Sequence, residues 1–251
     1  MVAGGMDMRM VQKFGGTSLA DPAAMRRAAE LTAQAWTEGH RVAVVVSAQG
    51  DTTDELIEKA MLLTPQPAPR ELDMLLCAGE QMSAALFAME LTRRGIPAVS
   101  LTGAQAGIHT TSCFGSAEIL DISPQRVCAL LEQGTVPVVA GFQGADAQGD
   151  LTTLGRGGSD TTAVALAAAL NADLCRIYTD VDGVYDRDPR HFPDAHRFKS
   201  IGYDEMLALA ERGAQVLHSR CVQLAREYHI PLEVRSTFTD TPGTRVDTNK
   251  F

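Results

Sequence analysis

Residues 8–18, MRMVQKFGGTS, decide the fold. Their first half is a short run rich in apolar side chains that ends at Lys13, and the pair Gly15 and Gly16 follows closely. A short apolar run bounded by glycines is typical of a β-strand. A glycine pair after a strand also lets backbone N–H groups approach an anion, and the positive end of a following helix strengthens that attraction. The stretch therefore predicts a first strand that ends in a turn suited to an anion.

Short β-rich runs alternate with longer amphipathic stretches along the rest of the chain. This is the pattern of parallel strands joined by helical crossovers, and it predicts an α/β fold. The predicted strands cover residues 8–13, 41–47, 98–101, 136–140, 174–178 and 231–235. The predicted helices cover residues 22–38, 53–63, 70–94, 124–133, 159–171, 203–212 and 217–228.

Turn and cap residues mark several boundaries of these elements. Asp21 and Ser123 each stand directly before a proline, a combination that caps a helix and opens its first turn. Residues 64–69, TPQPAP, are too rich in proline for a helix and predict a stiff connector inside the fold. Three glycines in residues 141–150 predict a hairpin that leads into residues 152–154.

Size and charge narrow the class of protein. The 251 residues are 45% apolar and 21% charged, which suits one domain over residues 1–251. The net charge of -9 argues against a nucleic-acid or anionic-membrane surface, since both need a positive stripe. Residues 1–7 lack the features of a signal peptide and predict a disordered leader, and residues 240–251 predict a polar tail without core residues. Because no run approaches the roughly 18 apolar residues of a spanning helix, we expect a soluble, cytoplasmic protein that binds neither membranes nor nucleic acid.

The cysteines predict neither a disulfide framework nor a zinc site. They are five in number, and none stands in a CxxC pair. We therefore expect reduced thiols and no protein-bound metal. The five are Cys77, Cys113, Cys128, Cys175 and Cys221.

Two glycine-rich loops carry charged residues. In the first, Lys13 precedes Gly15 and Gly16, whereas a Walker P-loop places its lysine after the glycines, so the P-loop interpretation fails. Taken alone, such a turn is more often structural than phosphate-binding. In the second, residues 153–162 (TLGRGGSDTT), Arg156 stands among glycines, where its planar guanidinium suits a carboxylate. Asp160 stands at a helix start, where a plain capping role competes with any role in binding.

Three further stretches lie beside predicted strands or helices. Residues 178–185 (YTDVDGVY) follow a strand and carry two aspartates that suit ribose, base or metal, although plain turn chemistry explains them equally well. Residues 47–54 follow the second strand. Glu80 follows Gly79 inside a helix and suits either an ammonium group or a solvated face. Both signs of charge thus collect near strand ends, and this agreement favours a zwitterionic ligand together with phosphates.

Taken together, these residues resemble the amino-acid kinase superfamily, and within it the catalytic domain of aspartokinases. The resemblance covers nearly the whole chain. It rests on residues 13–18 (KFGGTS), 79–81 (GEQ), 141–144 (GFQG), 154–160 (LGRGGSD), 178–185 (YTDVDGVY) and 234–236 (VRS).

The resemblance implies a three-layer α/β/α sandwich with an eight-stranded, mostly parallel sheet. It implies that Lys13 stabilises the transferring phosphoryl group and that Asp160 organises Lys13, the two forming the catalytic pair. Glu80 would lie near the amino group of the amino acid, and Arg156 would clamp its α-carboxylate. The remaining residues implied around the amino acid are Ser47, Thr53, Gly157, Gly158 and Ser159.

On the nucleotide side the resemblance implies ATP, with Mg²⁺ carried by the nucleotide. Besides Lys13, the residues implied to bind ATP are Phe14, Gly15, Gly16, Ser47, Ser159, Thr179, Asp180, Tyr185, Arg187 and Asp188. The implied reaction is ATP-dependent phosphorylation of the side-chain carboxylate of L-aspartate, the first step toward lysine, threonine and methionine. An ionised carboxylate is already a nucleophile, so no general base is needed, and alignment and charge neutralisation supply the catalysis. The family also implies a homodimer.

The chain departs from the family pattern at several positions. His196 and Gln215 stand where basic residues are common, and Ser219 stands where proline is common. We therefore expect weaker or pH-dependent ATP binding. The sequence shows no ACT regulatory domain after residues 242–244, where aspartokinases continue. Two alternatives stay open: a kinase for another small amino-acid carboxylate, and a non-catalytic subunit that binds ATP or aspartate.

Overall fold

The computed structural model describes residues 7–187, 189, 191–192, 194–211 and 216–248. Its strands are β1 (Arg9–Phe14), β2 (Arg41–Val46), β3 (Ala98–Leu101), β4 (Ile108–Thr110), β5 (Ile119–Ile122), β6 (Val136–Ala140), β7 (Gln143–Ala145), β8 (Leu151–Thr153), β9 (Leu174–Thr179), β10 (Ser200–Gly202), β11 (Leu232–Ser236) and β12 (Thr244–Asp247). Its helices are α1 (Pro22–Thr37), α2 (Thr52–Leu63), α3 (Pro69–Arg93), α4 (Gln125–Glu132), α5 (Gly158–Ala169), α6 (Tyr203–Glu211) and α7 (Ser219–Glu227). A 3₁₀ turn, Thr17–Leu19, follows β1.

An eight-stranded sheet forms the centre of the molecule, in the order β10-β12-β11-β9-β1-β2-β6-β3. Six neighbouring strands, from β11 to β3, run parallel. Strand β12 pairs antiparallel with β11 and parallel with β10, so the two strands at that edge run the opposite way. The predicted α/β fold and its mostly parallel eight-stranded sheet are confirmed.

Helices cover both faces of this sheet because the strands alternate their buried side chains between two cores. In β2, Val42, Val44 and Val46 pack with α1 and α3, whereas Ala43 and Val45 pack on the other face, where α4, α5, α6 and α7 lie. Strands that are apolar on both faces are typical of parallel sheets buried between helices. The result is the predicted three-layer sandwich.

A second sheet of four short strands, in the order β5-β4-β7-β8, lies beside the first. Strands β7 and β8 form the predicted hairpin, with Gln143 opposite Thr153. Strands β4 and β5 were not predicted, because each contains only three or four residues with little alternation of apolar side chains.

The six predicted strands and seven predicted helices are present with shifts of one or two residues at most ends. The cap predicted at Asp21 is confirmed, since its Oδ1 accepts hydrogen bonds from the backbone N–H groups of Ala23 and Ala24. The cap predicted at Ser123 is wrong: α4 begins after Pro124 and has no side-chain cap. The proline-rich connector ends one residue early, because Pro69 already occupies the first turn of α3, where its missing N–H costs nothing.

The prediction of a polar tail without core residues is wrong for the part of 240–251 that is described. Thr244–Asp247 forms β12, and the side chains of Thr244 and Val246 are buried. The mistake arose because only every second residue of this strand faces the core, so its composition is polar. Of the leader predicted over residues 1–7, only Asp7 lies among the described residues.

Helix α3 is the one described helix whose length and composition would allow it to cross a bilayer. Half of its most apolar window is buried inside the fold. Its buried face packs against the sheets, with Leu76, Phe87 and Leu91 in the core. A helix that packs one face against a sheet has apolar residues there for packing reasons.

Candidate active site

The parallel strands bring the ends of several sequence motifs to one edge of the sheet. Phe14 at the end of β1 pairs with Tyr178 of β9 and with Val46 of β2. Ser236 of β11 and Ala140 of β6 lie at the same level on the outer neighbours. Ligands of open α/β sheets bind outside these carboxyl ends, and the candidate residues gather there.

Lys13 and Asp160 form an ion pair at this edge. Lys13 Nζ lies 2.6 Å from Asp160 Oδ1, although the two residues are far apart in the chain. Lys13 is 9% exposed and Asp160 7%. Asp160 lies in the first turn of α5, where the helix dipole favours a carboxylate. A nearly buried ammonium group, held by one carboxylate and reachable from outside, is therefore the fixed charge of the site.

The glycine turn after β1 wraps closely around its neighbours. A Cβ on Gly15 would lie 3.4 Å from Lys13 Nζ, so the backbone of Gly15 runs directly beside the ammonium group. A Cβ on Gly16 would lie 3.0 Å from the Ala48 carbonyl oxygen, and Gly16 O accepts a hydrogen bond from Gly50 N at 3.1 Å. The turn after β1 and the turn after β2 are thus fixed to each other by backbone contacts that larger residues would prevent.

Glu80 reaches the same turn from α3. Its Oε1 accepts a hydrogen bond from Ala48 N at 3.0 Å, and its Oε2 has no partner among the described residues. Gly79 makes this approach possible, because a Cβ there would lie 2.9 Å from Ala48 Cβ. Glu80 is 3% exposed, and this burial raises the pKa of its carboxyl to about 7. A carboxylate that is costly to ionise and has one oxygen free is suited to receive a cationic group.

The loop between β8 and α5 presents Arg156. Gly157 has a φ of 70°, in the left-handed region, and a Cβ there would lie 2.4 Å from the ring of His218. Arg220 Nη1 donates to the Leu154 carbonyl oxygen at 3.3 Å, so residues just before α7 and in its first turn support both ends of the loop. Arg156 itself is exposed and forms no hydrogen bond or ion pair with any described residue. Its guanidinium is therefore available for a ligand.

The start of α5 packs against the turn that follows β6. A Cβ on Gly141 would lie 3.0 Å from both Cβ and Oγ of Ser159, and a Cβ on Gly158 would lie 2.8 Å from the ring of Phe142. Phe142 has a φ of 68°, which is unusual for a residue with a large side chain. Its N–H donates to Thr162 Oγ1 at 3.1 Å, which fixes the turn in this conformation. Backbone strain of this kind clusters at functional sites.

The turn after β9 is more exposed. Thr179 Oγ1 donates to Asp180 Oδ1 at 3.0 Å, and Asp180 faces solvent. Asp182 accepts from the Tyr185 hydroxyl at 2.8 Å and pairs with Arg197 Nη1 at 2.9 Å. The pKa of the Tyr185 hydroxyl is raised, first by burial and then by its bond to Asp182. Both aspartates thus have structural partners, and Asp180 keeps an oxygen toward solvent.

The other residues expected on the nucleotide side divide into described and undescribed positions. Arg187 is exposed, pairs with Asp194 at 3.2 Å and lies 5.4 Å from the ring of Phe192. His196 is exposed, and its N–H donates to Asp186 Oδ1. Asp188 and Gln215 lie outside the described residues.

Three further residues of the predicted site, Phe14, Thr53 and Ser47, have different surroundings. The Phe14 side chain is fully buried and stacks on Tyr178 at 4.7 Å, so only its backbone faces the site. Thr53 lies half-buried in the first turn of α2, and its side chain forms no hydrogen bond with another described residue. Ser47 lies next to the end of β1, where its N–H donates to the Phe14 carbonyl oxygen at 3.1 Å.

Sequence reasoning missed several residues that shape the site. Phe142 gives no signal before the structure is known, because nothing in its sequence context demands a left-handed conformation. Arg197, which directly follows His196, was not among the predicted site residues. Asp73 could have been found, since it stands seven residues before Glu80 on α3 and so on the same face of the helix.

These groups can neutralise and orient, and they offer no evident general base. Lys13 and the Gly16 N–H are suited to a phosphoryl group, whereas the Gly15 N–H is already bonded to the Tyr178 carbonyl oxygen at 3.3 Å. Glu80 and Arg156 carry the opposite charges that an amino acid would need. The residues that the structure describes contain no group of three or more His, Cys, Asp or Glu side chains arranged to hold a metal ion. The arrangement suits a nucleophile that is already ionised.

Comparisons with known proteins agree with this geometry. A family model described as the amino acid kinase family matches residues 8–236. The aspartokinase of Mycolicibacterium smegmatis is 52% identical over 238 residues, which are 94% of this chain and 56% of that protein. The chain spans a little over half the length of the curated relatives it matches.

Solved structures of aspartate kinases have the same fold. Aspartate kinase from Synechocystis superposes with a TM-score of 0.85 at 48% identity, covering 97% of this chain and 40% of that one. Escherichia coli aspartokinase III, solved in complex with aspartate and ADP, superposes with a TM-score of 0.86 at 30% identity, covering 97% of this chain and 65% of that one.

Proposed function

This chain belongs to the amino acid kinase family, and we propose that it transfers the γ-phosphoryl group of ATP to the side-chain carboxylate of L-aspartate. The products are 4-phospho-L-aspartate and ADP. One observation carries the proposal: the ion pair of Lys13 and Asp160 is nearly buried at the strand ends, with the backbone of Gly15 beside the ammonium group. Relatives and solved neighbours named as aspartate kinases support the choice of acceptor.

The proposed chemistry requires no proton transfer at the nucleophile. An oxygen of the ionised carboxylate forms a bond to the γ-phosphorus, and the bond from that phosphorus to the β–γ bridging oxygen breaks. The electron pair leaves with ADP. Negative charge spreads over the phosphoryl oxygens and the leaving oxygen during transfer, so catalysis depends on alignment and on positive charge placed in advance.

Lys13 supplies that charge in the proposal. Its ammonium group is oriented by Asp160 at 2.6 Å, which prevents it from swinging into solvent. In the turn after β1, the Gly15 N–H already donates to the Tyr178 carbonyl oxygen at 3.3 Å, so the donors that remain for the phosphoryl group are the N–H groups that follow, beginning with that of Gly16. Because the pair is nearly buried, its field at the transferring group is screened less than that of a surface lysine would be.

Glu80 and Arg156 recognise the amino acid in the proposal. Glu80 has one oxygen bonded to Ala48 N and one free, so an α-ammonium group would find an acceptor already in place. Arg156 has no partner among the described residues and can grip the α-carboxylate with its two-pronged guanidinium. The aspartate side chain is left for the phosphoryl group.

ATP and Mg²⁺ enter this proposal together. When bound, Mg²⁺ neutralises charge on the phosphates during transfer. Escherichia coli aspartokinase III, solved in complex with aspartate and ADP, supports a nucleotide as the second ligand, and we propose that it lies on the side of Thr179, Asp180 and Tyr185.

The pathway, the compartment and the oligomeric state are also part of the proposal. We expect it to be the first step toward lysine, threonine and methionine, carried out in the cytoplasm by a homodimer. The names of the relatives support a role in amino-acid metabolism. The activity assay below does not depend on the pathway, the compartment or the oligomeric state.

The experiment is an acyl-phosphate trap with hydroxylamine, run with MgATP and a panel of acceptors. We expect a hydroxamate with L-aspartate, little with L-glutamate, and very little with succinate, which lacks the ammonium group that Glu80 would bind. A stronger signal with another amino acid would identify a kinase for a different carboxylate. A chain that binds ATP or aspartate but yields no hydroxamate with any acceptor would be a non-catalytic subunit.

A further inference from the structure

Asp73 is a buried carboxylate that the proposed reaction does not use. It lies near the start of α3 and is 1% exposed. Burying a carboxylate is costly unless several donors replace its water. The hydrogen bonds that offset this cost connect Asp73 to other segments of the fold.

Three neutral donors surround this carboxylate. Thr153 N donates to Oδ2 at 2.7 Å, and Thr153 Oγ1 donates to Oδ1 at 2.8 Å. Gly115 N lies 3.0 Å from both oxygens. Asp73 therefore joins α3 to the end of β8 and to the loop between β4 and β5.

Both joined segments support the loop that carries Arg156. Thr153 is the last residue of β8, and its carbonyl oxygen accepts from Ala117 N at 2.8 Å. A Cβ on Gly155 would lie 3.2 Å from the Gly115 carbonyl oxygen, so the loop bonded to Asp73 packs directly against the residue before Arg156. Arg156 itself has no partner of its own among the described residues, so the backbone beneath it sets its position.

The same helix carries Glu80. Seven residues are two helical turns, so Asp73 and Glu80 lie on one face of α3 roughly 10 Å apart along its axis. Glu80 reaches the turn after β2, and Asp73 reaches β8. Helix α3 thus connects Glu80, proposed to bind the α-ammonium group, with the segment that supports Arg156, proposed to bind the α-carboxylate.

We infer that Asp73 is a positioning residue that fixes Arg156 relative to Glu80 and thereby sets how well the enzyme binds its amino acid. The inference rests on the proposed function. Asp73 does not touch the substrate and acts only through its hydrogen bonds to Thr153 and Gly115.

The test compares three substitutions in the full chain. Asp73→Leu removes the acceptor and leaves buried N–H groups unpaired, and we expect KM for L-aspartate to rise about tenfold, with kcat and KM for MgATP within about threefold. Asp73→Asn should restore most of the binding, because its oxygen can accept from both N–H groups while its NH₂ donates to Thr153 Oγ1. Thr153→Val loses one bond and should raise KM for L-aspartate by about threefold.

Asp150→Asn is the matched control. Asp150 also links the start of α3 to the β7–β8 hairpin, through Arg70 at 2.6 Å, but at the far end of the hairpin from Arg156. It should change KM for L-aspartate by less than about twofold, since a half-exposed ion pair contributes little.

A double-mutant cycle shows whether Asp73 acts through Arg156. If it does, Asp73→Leu should raise KM much less in an Arg156→Ala background than in the wild type. Equal effects in both backgrounds, equal changes in both KM values, or the same rise with Asp150→Asn would overturn the inference. If Asp73→Leu fails to fold, Thr153→Val against Asp150→Asn decides the question. Failure of the proposed function is distinct, because the wild-type chain would then give no trapped product from L-aspartate.

Discussion

The amino-acid side and the nucleotide side of the candidate site are built differently. At the centre of phosphoryl transfer and on the amino-acid side, Lys13, Asp160 and Glu80 are nearly buried, and Gly15 lies directly beside Lys13. On the nucleotide side, Asp182 and Arg187 lie near solvent and are paired with other charged side chains, Arg197 and Asp194. Glu80 and Arg156, proposed to bind the amino acid, thus keep polar atoms without a partner among the described residues, whereas Asp182 and Arg187 are paired within the protein.

The difference indicates that the fold has already desolvated the carboxylate proposed to bind the amino acid. The fold has already taken Glu80 out of water, and one of its oxygens lacks a partner among the described residues, so an arriving ammonium group meets an acceptor that costs nothing more to desolvate. ATP brings its own charge and its metal ion, so exposed side chains suffice to hold it. Substitutions on the amino-acid side should therefore have larger effects than those on the nucleotide side.

Lys13→Ala should have the largest effect. Removing the ammonium group should lower kcat by about 10³-fold or more, as losses of preorganised electrostatic stabilisation do. It also leaves Asp160 buried without its partner, which should cost about 3 kcal/mol of folding free energy. Steady-state kinetics and thermal unfolding measure the two effects.

The double variant Lys13→Met with Asp160→Leu separates them. It removes both buried charges, so stability should return while activity stays lost. Turnover near the wild-type rate in Lys13→Ala would refute the assignment of Lys13 and the contrast between the two sides.

Glu80→Gln should have an intermediate effect that depends on pH. Burial raises the pKa of Glu80 from its ordinary 4.5 to about 7, so the protonated carboxyl is the form that folding favours. The stability this contributes is complete below about pH 4.5 and is lost as pH rises through 7. Glutamine does not ionise, so the variant does not lose this stability. Its free energy of unfolding should therefore rise relative to that of the wild type as pH rises, by on the order of 3 kcal/mol at pH 8.

Binding should change in the opposite direction. The ammonium group of the amino acid needs the ionised carboxylate, so the wild-type KM for L-aspartate should rise as pH falls below 7, whereas the KM of Glu80→Gln should be high and nearly constant. Urea unfolding between pH 4 and pH 8 measures the effect on stability, and kinetics between pH 6 and pH 8 measure the effect on binding. A wild-type KM that does not depend on pH would remove Glu80 from the amino-acid site.

Arg197→Gln should have the smallest effect. It breaks a pair with Asp182 that is about one quarter to one third exposed, so we expect KM for MgATP to rise only about threefold and KM for L-aspartate to stay unchanged. Arg226→Gln, which breaks an exposed pair with Asp204, is the control. A larger effect on L-aspartate than on MgATP would show that the two sides are not separate.

Local patterns in the sequence predicted most of the fold, because long helices and buried parallel strands carry clear periodicity. They failed where an element is short or half polar, as in β12, where only Thr244 and Val246 face the core. They failed also at Ser123, since a residue with a capping side chain does not fix where a helix begins.

The residues of the candidate site likewise include some that the sequence predicted and some that it did not. Lys13 and Asp160 stand 147 positions apart, and no local pattern pairs them; the family resemblance predicted the pair, and the structure places them 2.6 Å apart. Phe14 was expected at the nucleotide, but its side chain lies in the core. Asp73 was missed because the donors that make it structurally important, on Thr153 and Gly115, are distant from it in the sequence.

The most direct test of the central claim follows the oxygen atoms. The chain is incubated with MgATP and L-aspartate labelled with heavy oxygen in its side-chain carboxylate, and hydroxylamine then releases phosphate by attack at the carbonyl carbon. If the carboxylate attacks phosphorus, each released phosphate carries one heavy oxygen, which mass spectrometry detects. Released phosphate without the label would contradict the account.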